Sequence, residues 1–264
     1  MLSVLNEQDI KAAVIDKLFA KLQRHDAVLI NEMSVGNAER RADIVIANGH
    51  LEAFEIKSDL DSLKRLDGQL AVYLKRFDKV TLVLSSKFID YALENTPSQV
   101  GIWEAEELRS DSVQLKIRRP GKIKEISDKK LLCDFLLKSE LTLLLKNKVE
   151  FNLGSYSRSE LTTLALDNSL ASLRRFTIQS IKNRYRTTFQ NFQKLRQREK
   201  THPGDIANLS KSKTKRKELD TLFAKYLTAP NKHHHRELDF SRLFPDGDIP
   251  EDMPRHILVP IQNN

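Results

Sequence analysis

The 264 residues of this chain can form one large or two small domains, and 40% apolar residues are enough for a folded core. The 44 Lys and Arg residues outnumber the 36 Asp and Glu residues, and the net charge of +8 favours an acidic partner, nucleic acid first. The lone Cys133 excludes an internal disulfide. The sequence has neither an apolar run of membrane-spanning length nor an evident signal peptide, so we expect a cytoplasmic protein without a membrane partner.

Apolar periodicity in the N-terminal half predicts helices alternating with short strands. Asn6 is a good helix cap, and the apolar stripe after it predicts a helix that ends near Arg24. The continuous apolar run from Val80 to Leu84 is typical of a central, fully buried strand. The other expected elements are a strand at 27–33, a loop at 34–40, a strand hairpin at 41–57, helices at 61–76 and 88–95, and a strand at 100–103.

The second half of the chain has a helical and basic pattern. The segment Lys116–Lys124 surrounds a Pro-Gly pair and predicts a linker or a basic hairpin. From Asp128 onward, leucines at helical spacing predict helices, including a long one at about Leu170–Gln197. The tail from Phe240 has no clear period and predicts irregular chain. The expected parts are therefore residues 1–112, 113–127 and 128–264.

Three charged residues lie inside the apolar stretch Arg41–Lys57. They are Asp43, Glu55 and Lys57, and the Glu-x-Lys spacing places the last two on one face of a strand. A two-residue turn would put Asp43 on the opposite face, whereas the three-residue loop Asn48–His50 would put it directly opposite Glu55. The apolar pattern favours the second register. The alternative is a surface strand with ordinary solvated charges.

Charges inside a buried strand are stable when they are paired or bind a metal ion. Two carboxylates suit Mg²⁺ or Mn²⁺, which also take oxygen ligands from water and substrate phosphate. Asp43 with Glu55-Ile56-Lys57 resembles the signature of the PD-(D/E)xK nuclease superfamily, although Ala42 stands where the signature has Pro. The motif Gln69-Leu70-Ala71-Val72-Tyr73 resembles the Gln-x-x-x-Tyr motif of the RecB-like branch. The chain is similar to small stand-alone bacterial and phage-borne predicted nucleases with a helical C-terminal half.

This resemblance implies an α/β, restriction-endonuclease-like αβββαβ core with a mixed sheet, followed by a mostly α-helical region. It also implies a metal-dependent nuclease, and we expect an endonuclease acting on DNA. Asp43 and Glu55 would hold Mg²⁺ or Mn²⁺, Lys57 would position or activate the attacking water, and Gln69 would support the site.

The resemblance also implies a third acid near the metal. Glu7 from the first helix and Glu32 from the first strand both fit, and Glu7 is slightly preferred. Tyr73 lies on the same helix face as Gln69, four residues away, and is expected to serve in packing.

Basic residues are densest in the predicted long helix, where almost no acids oppose them. A basic helix face is a candidate for contact with the phosphate backbone, without reading of bases. The candidates are Arg174, Arg175, Lys182 and Arg186, with Arg118 and Arg119 of the basic segment as further choices. The alternative is that these side chains are solvated or pair with acids of the N-terminal half.

Two other classes of function remain open. The fold could be a catalytically silent module that binds nucleic acid or regulates, although the intact Asp, Glu-x-Lys set argues against this. The chain could also be a subunit that binds a protein partner or a second copy of itself through its helical half, with the Leu-rich segment Leu131–Leu145 as the contact surface.

Overall fold

The computed structural model describes residues 5–24, 26–35, 40–108, 112–146, 153–196, 200–210, 233–237 and 256–260. In these residues the helices are α1 (Glu7–Arg24), α2 (Leu66–Arg76), α3 (Ile89–Asn95), α4 (Lys129–Asp134), α5 (Lys138–Leu145), α6 (Arg158–Ala165) and α7 (Leu170–Arg196). The strands are β1 (Val28–Val35), β2 (Arg40–Ala47), β3 (Leu51–Lys57), β4 (Lys79–Ser85), β5 (Gly101–Leu108), β6 (Ser112–Arg119), β7 (His233–Glu237) and β8 (His256–Pro260). Short 3₁₀ helices cover Ser86–Phe88, Leu153–Ser155 and Pro203–Leu209.

The first six strands form one mixed sheet in the order β1-β2-β3-β4-β5-β6. The pairs β1–β2, β2–β3 and β5–β6 are antiparallel, and β3–β4 and β4–β5 are parallel. The parallel neighbours need crossovers, which contain α2 and α3. The predicted α/β class with a mixed sheet and a helical region after it is therefore confirmed.

Both faces of the central sheet are covered. Every residue of β3 is buried, which explains why its apolar residues do not simply alternate with exposed polar ones. Helix α1 packs against β3 and β6, and α7 packs against β1 and β2. No helix in the described part of the chain is long and apolar enough to cross a membrane.

The chain divides into two compact units, Met1–Thr214 and Lys215–Asn264. The predicted boundaries at residues 112 and 128 both fall inside the first unit. The second unit contains the antiparallel pair of β7 and β8. The prediction of an irregular tail was therefore wrong for His256–Pro260, and the rest of the tail lies outside the described residues.

The segment Lys116–Lys124 is not a linker, because its first half belongs to β6 at the edge of the sheet. The prediction of a basic hairpin was closer, since β5 and β6 form an antiparallel pair. Helix α2 begins at Leu66, later than the predicted residue 61. Before it, Asp61 accepts hydrogen bonds from the backbone N–H and hydroxyl of Ser58 at 2.8 and 2.7 Å, which favours a turn there.

The Leu-rich segment Leu131–Leu145 contributes mainly to the core. Leu132, Leu141 and Leu145 are buried, and α4 packs against α7. Leu137 and Leu143 are exposed, but two separate leucines on a surface are ordinary. The described residues therefore offer no continuous leucine surface here for a partner.

Candidate active site

The β2–β3 hairpin has the predicted three-residue loop. Ala47 pairs with Leu51, so Asn48–His50 connect the strands, and Gly49 has a left-handed φ of 106°. The pairing of Ile44 with Phe54 continues the register to Asp43 and Glu55, which therefore lie on one face of the sheet. The prediction that both carboxylates lie on one face of the sheet is thus confirmed.

Glu55 is the most enclosed carboxylate of the cluster, with its side chain only 3% exposed. Lys57 Nζ donates to Glu55 Oε1 at 2.7 Å, and Gln69 Nε2 donates to the same oxygen. The hydroxyl of Tyr73 lies 3.1 Å from Glu55 Oε2 and 2.8 Å from the carbonyl oxygen of Arg41. Lys57 and α2 therefore fix both oxygens of Glu55.

Gln69 and Tyr73 reach Glu55 together because they are four residues apart on one face of α2. Burial and then the charge of Glu55 raise the pKa of Tyr73 above its ordinary value, so its hydroxyl keeps its proton and remains a donor. Tyr73 packs in the core against Phe77, as expected, and its hydroxyl in addition holds Glu55.

Asp43 belongs to the same cluster and is held by a hydrogen bond from the backbone of β3. Its Oδ2 accepts a hydrogen bond from the backbone N–H of Ile56 at 2.8 Å. Burial, and then the nearby charge of Glu55, raise the pKa of Asp43 to about 7, although Lys11 acts in the opposite direction. The carboxylate form of Asp43 is therefore disfavoured in this environment.

Lys11 is a site residue that the sequence analysis missed. Its side chain on α1 is 1% exposed, and its Nζ lies 2.5 Å from Glu7 Oε1, 3.7 Å from Asp43 Oδ1 and 3.9 Å from Glu32 Oε1. The available signal was its position in the apolar stripe of α1, since a lysine at a core position requires buried partners. Both candidates for the third acid, Glu7 and Glu32, thus contact Lys11.

In the described residues, no three His, Cys, Asp or Glu side chains are arranged to hold a metal ion on their own. The acids of the cluster instead contact the ammonium groups of Lys11 and Lys57. The side-chain oxygen Oε1 of Gln69 is buried and has no hydrogen-bond partner within the described structure. This oxygen is free to accept a hydrogen bond from a water molecule or ligand in the site.

We expect Asp43→Asn to stabilise the protein at neutral pH in EDTA. The pKa of Asp43 is raised to about 7, so folding favours its protonated form, and the stability that this form contributes is lost as pH rises through 7. Asparagine is neutral throughout. Urea midpoints of the two proteins should agree near pH ~4 and favour the variant by pH ~8. Equal midpoints at the higher pH would contradict this assignment of charge.

The predicted phosphate contacts of α7 require correction. Arg174 is buried, with Nη1 2.8 Å from Asp78 Oδ1 and 3.3 Å from the carbonyl oxygen of Ile126. Lys182 and Arg186 both bind Asp26, at 2.5 and 2.6 Å, and hold the pKa of that carboxyl well below its usual range. These three side chains pair with acids of the N-terminal half, which was the stated alternative.

Arg118 and Arg119 also have partners within the fold. Arg118 pairs with Glu104 across the β5–β6 ladder. Arg119 donates to the carbonyl oxygens of Val100, Leu93 and Thr96. Both side chains therefore stabilise the edge of the sheet, and their contact with phosphate stays a prediction.

Arg175 and Arg118 are the exposed members of the six candidates, all of which are described, and of these two Arg118 pairs with Glu104. We expect Arg175→Ala to make the slope of log K against log salt less steep by up to about 0.9 on duplex DNA, the effect of one lost phosphate contact. Arg186→Ala is the control on the same helix and should change the slope less, because Arg186 is already held by Asp26, which also binds Lys182. Identical slopes for the wild type and the Arg175 variant would remove α7 from the DNA surface.

Comparison with known proteins places the chain in a viral family. Residues 1–210 match the family model described as bacteriophage P4 protein cII. Protein cII of Enterobacteria phage P4 is 40% identical over 240 residues, which cover 90% of each chain. No solved structure matches the chain. The matched region includes the whole cluster from Glu7 to Tyr73, and the chain belongs to the bacteriophage P4 protein cII family.

Proposed function

We propose that this protein is a metal-dependent nuclease that hydrolyses phosphodiester bonds, with DNA as its substrate. The observation that carries the proposal is the convergence of Asp43, Glu55 and Lys57 on one face of a buried hairpin. A fold does not need to bury two carboxylates and a lysine for stability, because apolar residues of the same size would serve as well. The resemblance to the PD-(D/E)xK superfamily, with a restriction-endonuclease-like core, belongs to this proposal.

Asp43 and Glu55 are the residues that would hold Mg²⁺ or Mn²⁺. Two protein carboxylates, completed by water and a substrate phosphate, are a usual ligand set for Mg²⁺. The raised pKa of Asp43 fits this role, because burial and the neighbouring charge of Glu55 disfavour its carboxylate form, which a bound cation would stabilise. Such an ion would lower the pKa of a bound water and neutralise charge on the phosphate.

The other residues act on the water and on Glu55. The Lys57 ammonium group lies 2.7 Å from Glu55 Oε1, beside the proposed metal ligand. From this position it would orient the attacking water and stabilise charge on the phosphate. Gln69 and Tyr73 keep Glu55 in one orientation. The Arg41 side chain is 62% exposed beside Glu32 and is available to a phosphate of the substrate.

A second candidate is a nucleic-acid-binding or regulatory module without catalysis. It is favoured by the enclosure of Glu55, which is 3% exposed and already accepts hydrogen bonds from Lys57, Gln69 and Tyr73. In this case the cluster would be a structural network and would need no metal.

One incubation experiment separates the two candidates. Circular and linear DNA, single- and double-stranded, is incubated with the protein in Mg²⁺, Mn²⁺ or EDTA, with a matching set of RNA substrates. We expect cleavage in Mg²⁺ or Mn²⁺, none in EDTA, and none by Glu55→Gln, which keeps the size of the side chain. Binding to DNA with no cleavage in any metal would favour the silent module.

A further inference from the structure

Lys11 is unusual because its ammonium group is almost completely buried. It lies among three carboxylates, those of Glu7, Glu32 and Asp43, at 2.5, 3.9 and 3.7 Å. Glu7 could pair with Lys11 in any exposed helix, since they are four residues apart. The contacts with Glu32 and Asp43 instead join α1 to two strands, so they depend on the tertiary fold.

The backbone of β1 is distorted at Glu32. Its φ is 58°, in the left-handed region that a glutamate rarely adopts, and such conformations cost of order 1–3 kcal/mol. The regular pairing of β1 with β2 is interrupted there, between Asn31↔Ile44 and Met33↔Ala42. The side chain of Glu32 is 15% exposed and contacts both Lys11 and Arg41. A strained residue whose acid contacts the buried lysine indicates a functional arrangement.

The charges of the cluster divide into two groups. Glu55 is bound by Lys57, Gln69 and Tyr73, whereas Glu7 and Glu32 contact Lys11. Asp43 belongs to both groups, since it lies opposite Glu55 in the ladder and 3.7 Å from Lys11 Nζ. In two-metal hydrolases a shared carboxylate of this kind lies between cations that are ~3.5–4 Å apart.

We infer that Lys11 takes the place of a second divalent cation, so that the site binds one metal ion, between Asp43 and Glu55. Lys11 is then a positioning residue that holds Asp43 and Glu32 through fixed charge. The inference rests on the proposed metal-dependent function and specifies how many ions that function uses. It also gives the strained Glu32 a role, as an acid that keeps the ammonium in place.

The test is a count of Mn²⁺ ions bound by the full chain, from calorimetry and from the electron paramagnetic resonance signal of free Mn²⁺. We expect one ion for the wild type and two for Lys11→Met, which keeps most of the length of the side chain but removes the ammonium group that Glu7, Glu32 and Asp43 share. Lys11→Arg should bind one ion because it keeps the charge. Lys17→Met is the surface control from the same helix and should also bind one.

Each outcome decides between the alternatives. Two ions in the wild type, or one ion with unchanged affinity in Lys11→Met, would overturn the inference and leave the proposed nuclease intact. No ion in the wild type would overturn both. If Lys11→Met does not fold, Lys11→Gln replaces it, and the wild-type count still decides. In Lys11→Met, adding Glu32→Gln should return the count to one.

Discussion

Replacing Lys57 with Met is expected to abolish metal-dependent cleavage, with a loss of at least about 10²-fold, and to leave DNA binding unchanged. Lys57 Nζ lies 2.7 Å from Glu55 Oε1 and is 11% exposed, so its charge is concentrated at the site and adds little to the surface field. Gln69 and Tyr73 still hold Glu55 in the variant, so its orientation should persist. Initial cleavage rates measure the loss of catalysis, and equilibrium binding to the same duplex measures the affinity for DNA.

The chain offers a matched control for this variant. Lys79 at the start of β4 is also partly buried and pairs with a glutamate of β3, with its Nζ 3.4 Å from Glu52. Glu52 lies on the face of β3 opposite to Glu55, because strand side chains alternate. Lys79→Met should therefore cleave at the wild-type rate. Wild-type rates in Lys57→Met as well would remove Lys57 from the mechanism.

Asp78→Ala is expected to lower the free energy of unfolding by about 3–5 kcal/mol, the usual cost of breaking a buried ion pair. The Asp78 side chain is fully buried, with Oδ1 2.8 Å from Arg174 Nη1. It also accepts hydrogen bonds from the backbone N–H groups of Leu51 and Ile126 at 2.8 and 2.9 Å. Truncation leaves a buried guanidinium and two backbone donors without this acceptor.

Urea denaturation of Asp78→Ala, Arg174→Ala and the double variant measures this effect. The double variant should cost much less than the sum of the single variants, because either one alone breaks the same pair. Arg186→Ala provides a surface control, with an expected cost below about 1 kcal/mol, because its partner Asp26 is 61% exposed. A loss below 1 kcal/mol for Asp78→Ala would show that the pair does not join α7 to the sheet.

The hairpin at the site could be predicted because local rules determine it. The loop Asn48–His50 sets the register, and strict alternation along two strands then places Asp43 and Glu55 together. The pattern Val113, Leu115 and Ile117 of β6 also alternates, but the basic residues Lys116, Arg118 and Arg119 concealed it. An edge strand tolerates such charges because one of its sides is unpaired.

The roles of Lys11 and Arg174 could not be predicted in this way. Arg174 pairs with Asp78, which is 96 residues earlier in the chain, and only the packing of α7 against the sheet brings them together. The net charge of a helix does not show which of its cations are already neutralised. Lys11 likewise meets Glu32 and Asp43 through tertiary packing, and its sequence neighbours reveal only Glu7.

The most direct measurement of the central claim is the position of a divalent ion in crystals of the protein grown with Mn²⁺. Anomalous diffraction locates Mn²⁺ without prior assumptions about its ligands. We predict a peak between the carboxylates of Asp43 and Glu55, and no peak there in crystals of Glu55→Gln. Two results would contradict the assignment of this hairpin as a metal-dependent active site. One is wild-type crystals in which Mn²⁺ binds elsewhere and gives no peak between these carboxylates. The other is a peak there that survives Glu55→Gln.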